Sequence, residues 1–387
     1  MPHLLFDISG HGYGHLAQIL PVLSQIHQDH PSWRLTVRCR HPRALLDAWL
    51  PAKTIFATDA PPPEAEMAMQ GPAAVDVPAS LAAYQKLHQH WDDRLKEEQQ
   101  RLAALAPDLV ISNIAYSSLA AASRLDMPAL ALCSLDWASI FQAYCLPQPQ
   151  SLGGTDKPHA QEILAQIQEA YQQAAMFLQL TPHLPMTYLG AKRRPIGPIG
   201  RVGENRKHQI LETLGLPPDQ RLILMCFGGI RAERPLLERL PTIPKASWLL
   251  TRSLWKSYQE DAPDRQDLYA YDHLDLPFID LVASSDLAIS KTGYGFYVEA
   301  ALNRCPLIGI ERPDWPEEPF LRQWAQQNNH FTPWSLRGHG GDPKGQQDFV
   351  TLVTDMLEKT SYDSQLLSAP QSSGIQEALT EIKKWVV

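Results

Sequence analysis

The stretch Ile289-Ser290-Lys291-Thr292-Gly293-Tyr294-Gly295-Phe296-Tyr297-Val298-Glu299-Ala300-Ala301-Leu302 decides how the chain is read. Its first residues close a short apolar strand that begins at Asp286; a glycine turn follows, then a helix. Gly293 and Gly295 can take positive φ and let a ligand approach the backbone closely. A helix opening there aims unpaired N–H groups outward, which favours a phosphate. Glu299, one turn in, can accept hydrogen bonds from sugar hydroxyls. An ordinary strand-to-helix connection also carries glycines, so a second loop of the same kind is needed to choose.

That second loop lies near the N-terminus. Leu4-Leu5-Phe6-Asp7-Ile8 is an apolar run of the kind found in buried parallel strands. It feeds Ser9-Gly10-His11-Gly12-Tyr13-Gly14-His15, and then Leu16, Ile19, Leu20, Leu23 and Ile26 recur at helical spacing. Pro21 must sit near the first turn of that helix or kink it. Further strands are expected at 35–39, 53–57, 109–112, 129–133 and 177–180, with helices over 80–105, 117–125 and 161–175. Residues 58–78, with three successive prolines, read as a long functional or mobile loop. The same rhythm returns at 222–227, which runs into Gly228-Gly229, and at 247–251, 268–271, 286–290 and 306–310. A short helix is expected at 278–283, a glycine-rich loop at 335–346, and closing helices near 347–359 and 373–385. This alternation predicts an α/β protein of doubly wound parallel sheets. Prolines and glycines crowd 182–203, so the boundary falls there. Two Rossmann-like domains result, 1–185 and 200–387, and the C-terminal helix is free to pack back on the first.

A chain of 387 residues can bury two cores. Its 44% hydrophobic and 20% charged residues are ordinary for a soluble globular protein. A net charge of -8, with Lys192-Arg193-Arg194 as the one short basic cluster, argues against a nucleic-acid-binding face. No stretch approaches the roughly 20 apolar residues of a membrane span, although contact with a membrane surface stays compatible. The chain passes from Met1-Pro2-His3 into a strand with no signal segment, which with five scattered cysteines points to a reducing, cytoplasmic setting.

The first loop is Gly-x-Gly-x-Gly rather than the dinucleotide fingerprint, and the acid expected about 20 residues later is replaced by Arg38-Cys39-Arg40. This counts against NAD, though arginines suit a phosphorylated ribose. The P-loop and the Gly-x-Ser-x-Gly elbow are both absent. His11 and His15 can be exposed loop histidines, helix-cap partners or a general base. A metal would need more ligands close by, and there is no Asp-x-Asp to hold one.

Taken together, these motifs resemble a GT-B-type glycosyltransferase. The similarity is greatest to the glycosyltransferase-like N-terminal region of plant arabinokinases, and more distant to the MurG-type N-acetylglucosaminyltransferases. It rests on Gly10-His11-Gly12-Tyr13-Gly14-His15, Asp108-Leu109-Val110-Ile111-Ser112-Asn113, Asp136-Trp137, Phe227-Gly228-Gly229, Lys291-Thr292-Gly293-Tyr294-Gly295, Glu299-Ala300 and Glu317-Glu318-Pro319-Phe320-Leu321. The resemblance implies two Rossmann-like domains facing across a cleft, the N-terminal one binding the acceptor and the C-terminal one a nucleotide-sugar. Gly228, Gly229 and the turn after Lys291 (Thr292, Gly293, Tyr294, Gly295) would cradle the diphosphate, and Glu299 would hold the ribose. Glu317 and Glu318 would meet donor-sugar hydroxyls, or simply form a solvated helix start. Arg231 would neutralise the leaving diphosphate, or face solvent. On the acceptor side stand Gly12, Tyr13, Gly14 and Asn113. His15 matches the loop histidine of MurG-like enzymes, with His11 as the alternative base. Asp136 would orient the histidine, or turn the chain after a strand. Arabinokinase-like sequences tend to carry aspartate where Asn113 stands, so an acid role there is lost. The kinase half is absent, and sugar-kinase activity is not implied.

The expectation is a cytoplasmic, metal-independent transferase without cofactor, moving a hexosyl or pentosyl group from a nucleotide-sugar, UDP-linked by resemblance, to a hydroxyl acceptor. A sugar-nucleotide epimerase of the same architecture would instead need acids poised in the cleft. A non-catalytic nucleotide-sugar sensor would need neither.

Overall fold

The computed structural model describes residues 1–47, 50, 53–57, 60–70, 74–147, 158–227, 240–335, 343–363 and 369–386. The first half contributes β1 (His3–Ile8), β2 (Arg34–Arg38), β3 (Ile55–Phe56), β4 (Leu109–Asn113), β5 (Ala129–Cys133), β6 (Met176–Leu180) and β7 (Arg193–Ile196). The second contributes β8 (Arg221–Cys226), β9 (Ala246–Leu250), β10 (Leu268–Ala270), β11 (Leu287–Lys291), β12 (Leu307–Ile310) and β13 (Phe331–Trp334). They form two parallel sheets, ordered β3-β2-β1-β4-β5-β6-β7 and β10-β9-β8-β11-β12-β13. The order reverses between β1 and β4, and again between β8 and β11. Ligand crevices open beyond the carboxyl ends of the strands at such reversals, and both glycine loops lie there.

Central strands are apolar on both faces because helices cover both faces. In β1, Leu4, Phe6 and Ile8 join one buried cluster and Leu5 another, the two-residue alternation of a strand. The edge strands β7 and β13 escape a reading based on apolar runs. Each is four residues long and contains a proline, Pro195 or Pro333, which an edge tolerates. The helix expected over 80–105 is two helices, Val77–His88 and Trp91–Leu105. His90 leaves helical geometry between them, and Asp92 and Asp93 open the second helix where its dipole favours acids. Pro21 lies well inside the helix Gly14–Asp29 rather than in its first turn.

Glycines set how the halves meet. A Cβ on Gly295 would lie 3.1 Å from Ala17 Cβ and 3.7 Å from Gly14 Cα, so the two glycine loops touch. This corrects the conformational reading of the turn at 293–295. Gly293 has φ −178°, ordinary extended backbone, and Gly295 begins a helix; close packing is what requires glycine at 295. The C-terminal helix Gly374–Lys383 packs on the helix Gly14–Asp29 and on β7. There a Cβ on Gly374 would fall 2.1 Å from the Gly197 carbonyl oxygen. Among the described residues no helix is long and apolar enough to cross a membrane, and all five cysteines are buried thiols.

Candidate active site

At the first reversal Ser9 N–H donates to the Asn113 carbonyl at 2.7 Å, tying the loop after β1 to the end of β4. Gly12, at φ 72°, supplies the left-handed step that an L-residue resists. The loop leaves His11 half-buried, His15 buried and Tyr13 42% exposed.

His15 is buried, and its Nδ1 lies 2.6 Å from Asn113 Oδ1. The two N–H groups of Asn113 are both engaged, one by Gln18 Oε1 at 2.9 Å and one by the Leu132 carbonyl at 2.7 Å. The atom facing His15 is therefore an acceptor, so Nδ1 carries the proton and Nε2 keeps its lone pair. Burial, with His11 alongside, pulls the imidazole pKa down to about 4. His15 is thus a neutral base at physiological pH. If it acts as the base, the acid limb of kcat/KM against pH should fall below about pH 5. A limb near the ordinary histidine value of about 6.5 would exclude His15 from the step.

The network continues across the cleft. Gln18 Nε2 donates to Ser134 Oγ at 3.1 Å, and Ser134 Oγ donates to Glu317 Oε1 at 2.6 Å. Trp315 Nε1 donates to the other Glu317 oxygen at 3.2 Å. His15, Asn113, Gln18, Ser134 and Glu317 thus form one chain from the N-terminal loop into the second half. Gln18 and Ser134 carried no motif; only the i,i+3 spacing of Gln18 from His15 on one helix pointed to it.

Glu317 and Glu318 are both buried, so neither belongs to a solvated helix start. Burial raises both above the ordinary carboxylate value. His11 stacks on Trp315 at 6.4 Å and meets Trp137 edge-on at 5.2 Å, with Glu66 Oε2 at 3.6 Å from its Nδ1. Beside them Glu64 accepts from Trp137 Nε1 at 3.0 Å. Burial and the neighbouring Glu66 push Glu64 up to about 8. Burial acts on Glu66 in the same sense, yet His11 and Arg40 hold it below the ordinary value. One member of the pair is thus an acid and the other a carboxylate. Both come from the 58–78 segment, where no residue had been singled out. Their two-residue spacing in extended chain was the available signal.

Several expected roles change. Asp136 does not touch either histidine; it caps the helix Trp137–Tyr144, accepting from Ser139 N at 2.8 Å, Ser139 Oγ at 2.7 Å and Tyr188 OH at 2.9 Å. Asn113 is the group that orients His15. Glu299 is buried and held by Arg201 through Nε at 2.7 Å and Nη2 at 3.3 Å, so a ribose would have to displace that arginine. Tyr294 OH accepts from Ile199 N at 2.9 Å and donates to the Thr181 carbonyl at 3.2 Å, which ties the linker to β6. Thr292 Oγ1 lies against Tyr297 OH at 3.1 Å and the Ile310 carbonyl at 3.2 Å, and its backbone N–H donates to the same carbonyl at 3.1 Å, so neither donor of Thr292 is free for a diphosphate. Arg38 is fully buried on Asp7 and Glu98 and cannot serve a phosphorylated ribose. Gly228, Gly229 and Arg231 lie outside the described residues. Among the described residues the helix Tyr294–Leu302 has no side-chain cap at Gly293, and none lies within 4 Å of where a Cβ on Gly293 would stand. Among the described residues no group of three potential ligands is placed to hold a metal.

No family model matches the chain. It is similar to L-arabinokinase of Arabidopsis thaliana, 25% identical over 342 residues, covering 84% of this chain but only 30% of that protein's length. Among solved structures, a UDP-glucosyltransferase from Polygonum tinctorium superposes with a TM-score of 0.62 at 14% identity, covering 99% of this chain and 98% of that one. A protein described as a UDP-N-acetylglucosamine 2-epimerase from Listeria monocytogenes gives 0.58 at 14%, covering 99% and 96%. MurG of Acinetobacter baumannii gives 0.54 at 15%, covering 99% and 100%. With likenesses that run the length of both sheets, the chain has the GT-B fold, two Rossmann-like domains facing across a cleft.

Proposed function

We propose that the cleft is the active site of a metal-independent glycosyltransferase that moves a sugar from a nucleoside diphosphate donor to a hydroxyl acceptor. The observation that carries this reading is the neutral His15, held in the tautomer with Nε2 free at the reversal of the first sheet. An acceptor hydroxyl would give its proton to Nε2 while its oxygen attacks the anomeric carbon. The bond from that carbon to the diphosphate breaks, and the nucleotide leaves with the electron pair. The uncapped helix at Gly293 would receive the diphosphate. UDP is the nucleotide favoured, because the fold neighbours from Polygonum tinctorium and Listeria monocytogenes are described as UDP-sugar enzymes. Arabinose phosphorylation is not carried over, because the chain spans under a third of the arabinokinase.

The acid and carboxylate at Glu64 and Glu66 favour a second reading, an epimerase acting on the nucleotide-sugar alone. Product from UDP-N-acetylglucosamine without any acceptor would select it.

The first test is thermal and chemical stability with UDP, GDP, dTDP, CDP and ADP in the presence of chelator. One nucleotide at 100 times its dissociation constant should stabilise the protein by about 2.7 kcal/mol. If none stabilises it, with chelator or with Mg²⁺, the donor reading fails.

A further inference from the structure

Two cations at the carboxyl edge of the second sheet make no direct ion pair among the described residues. Arg312 follows β12 by two residues and is only 5% exposed. Its guanidinium lies 4.3 Å above the Trp315 ring, and Nε and Nη2 have no hydrogen-bond partner among the described residues. Glu318 takes the Arg312 backbone N–H rather than the guanidinium. Glu317 attracts Arg312 through space, yet both its oxygens are engaged by Ser134 and Trp315. Lys291 ends β11 on the neighbouring strand, where it pairs in register with Ile310. Burial brings its pKa down to about 7, and repulsion from Arg312 acts in the same sense.

A buried guanidinium without partners is costly, and a second cation beside it adds to the cost. Glu317 attracts both cations only through space, and a bound oxyanion would give them the direct partner absent among the described residues. The uncapped helix start at Gly293 lies two residues beyond Lys291 and favours the same sign. We propose that Arg312 and Lys291, with the first N–H groups of the helix Tyr294–Leu302, bind one oxyanion of the ligand that enters the cleft. The identity of that ligand rests on the nucleotide-sugar reading: the oxyanion is a phosphate of the donor, or the carboxylate of an acidic donor sugar. Arg312 presents a planar fork that lysine cannot reproduce. In the transfer step the pair would balance charge on the departing diphosphate.

The test is calorimetric titration of wild type, Arg312→Gln and Lys291→Met with inorganic pyrophosphate, UDP, UDP-glucose and UDP-glucuronate. If the oxyanion is a phosphate, pyrophosphate and UDP should both weaken by about tenfold to a hundredfold in Arg312→Gln. If it is a carboxylate, pyrophosphate and UDP should hold their affinity, while a wild-type preference for UDP-glucuronate over UDP-glucose disappears. Either result supports the inference. Without ligand, Arg312→Gln should melt at or above the wild-type temperature, because a buried cation without partners has been removed. A lower melting temperature would mark Arg312 as a structural residue and overturn the proposal. Unchanged affinity for all four ligands in both variants would overturn it as well, while leaving the donor reading intact. Conversely, pyrophosphate binding that depends on Arg312, with no nucleotide binding, would sink the donor reading and keep the oxyanion site.

Discussion

Replacing His15 with alanine should lower turnover by about a hundredfold to ten-thousandfold and leave nucleotide affinity unchanged. The size follows from what a positioned base contributes. The selectivity follows from geometry, because His15 stands on the helix Gly14–Asp29 of the first half while the helix opening at Gly293 is in the second. The substitution also strands Asn113 Oδ1, which loses its donor at a cost of about 1–3 kcal/mol. A stability measurement must therefore accompany the kinetics. Linkage gives an independent check. The folded imidazole titrates near 4 and the unfolded one near 6.5, so the unfolded chain binds the proton first. The stability of the neutral form is present above pH 6.5 and is lost as pH falls from there through 4, about 3 kcal/mol in all. His15→Ala should flatten the stability profile in that window. Turnover that survives in a folded His15→Ala variant would shift the base to His11, which has Glu66 beside its Nδ1.

The parts of this site that sequence exposes are those built from contiguous residues. Apolar runs such as Leu4–Ile8 and Leu222–Cys226 can be read because parallel strands are buried on both faces. The glycine loops can be read because they interrupt such runs at a strand end. The partners of the loop residues cannot be read in the same way. Asn113 lies 98 residues from His15, and Glu317 lies 183 residues from Ser134. Only the folded sheet order, with β1 beside β4 and β4 beside β5, brings His15, Asn113 and Ser134 together. Glu299 shows the reverse problem. A resemblance marks it for a ribose, but the side chain that holds it, Arg201, comes from a linker whose proline and glycine content identified a boundary and said nothing of charge. The acid pair Glu64 and Glu66 sits in irregular chain, where no period assigns a face.

Arg38→Met should lower the free energy of unfolding by about 3–5 kcal/mol, read as a fall in the denaturant midpoint. Arg38 lies in β2 with no exposed surface, and its Nε and Nη2 each donate to Asp7 at 2.6 Å. Nη2 also meets Glu98 Oε1 at 2.5 Å, from the helix Trp91–Leu105. Burial drives Glu98 up to about 7, with Arg38 holding against it. Methionine fills much of the same volume, so the loss reports Asp7 left without its cation and Glu98 left only with Arg101, 3.6 Å from its other oxygen. The triple variant Asp7→Leu, Arg38→Met, Glu98→Leu should recover most of that stability, because apolar packing commonly replaces a buried ionic cluster without loss. A single variant as stable as wild type would show that the triad carries no penalty when broken. A triple variant as unstable as the single one would show that the ions contribute net stability where they stand. The position matters for activity too. Asp7 is the next-to-last residue of β1, one strand residue before the loop that carries His11 and His15. The triad therefore anchors β1 to β2 and to a covering helix immediately before the glycine loop that carries His11. Turnover in the triple variant should stay close to wild type if that anchoring needs only a packed core, and should fall without unfolding if it needs the directionality of the Arg38 fork.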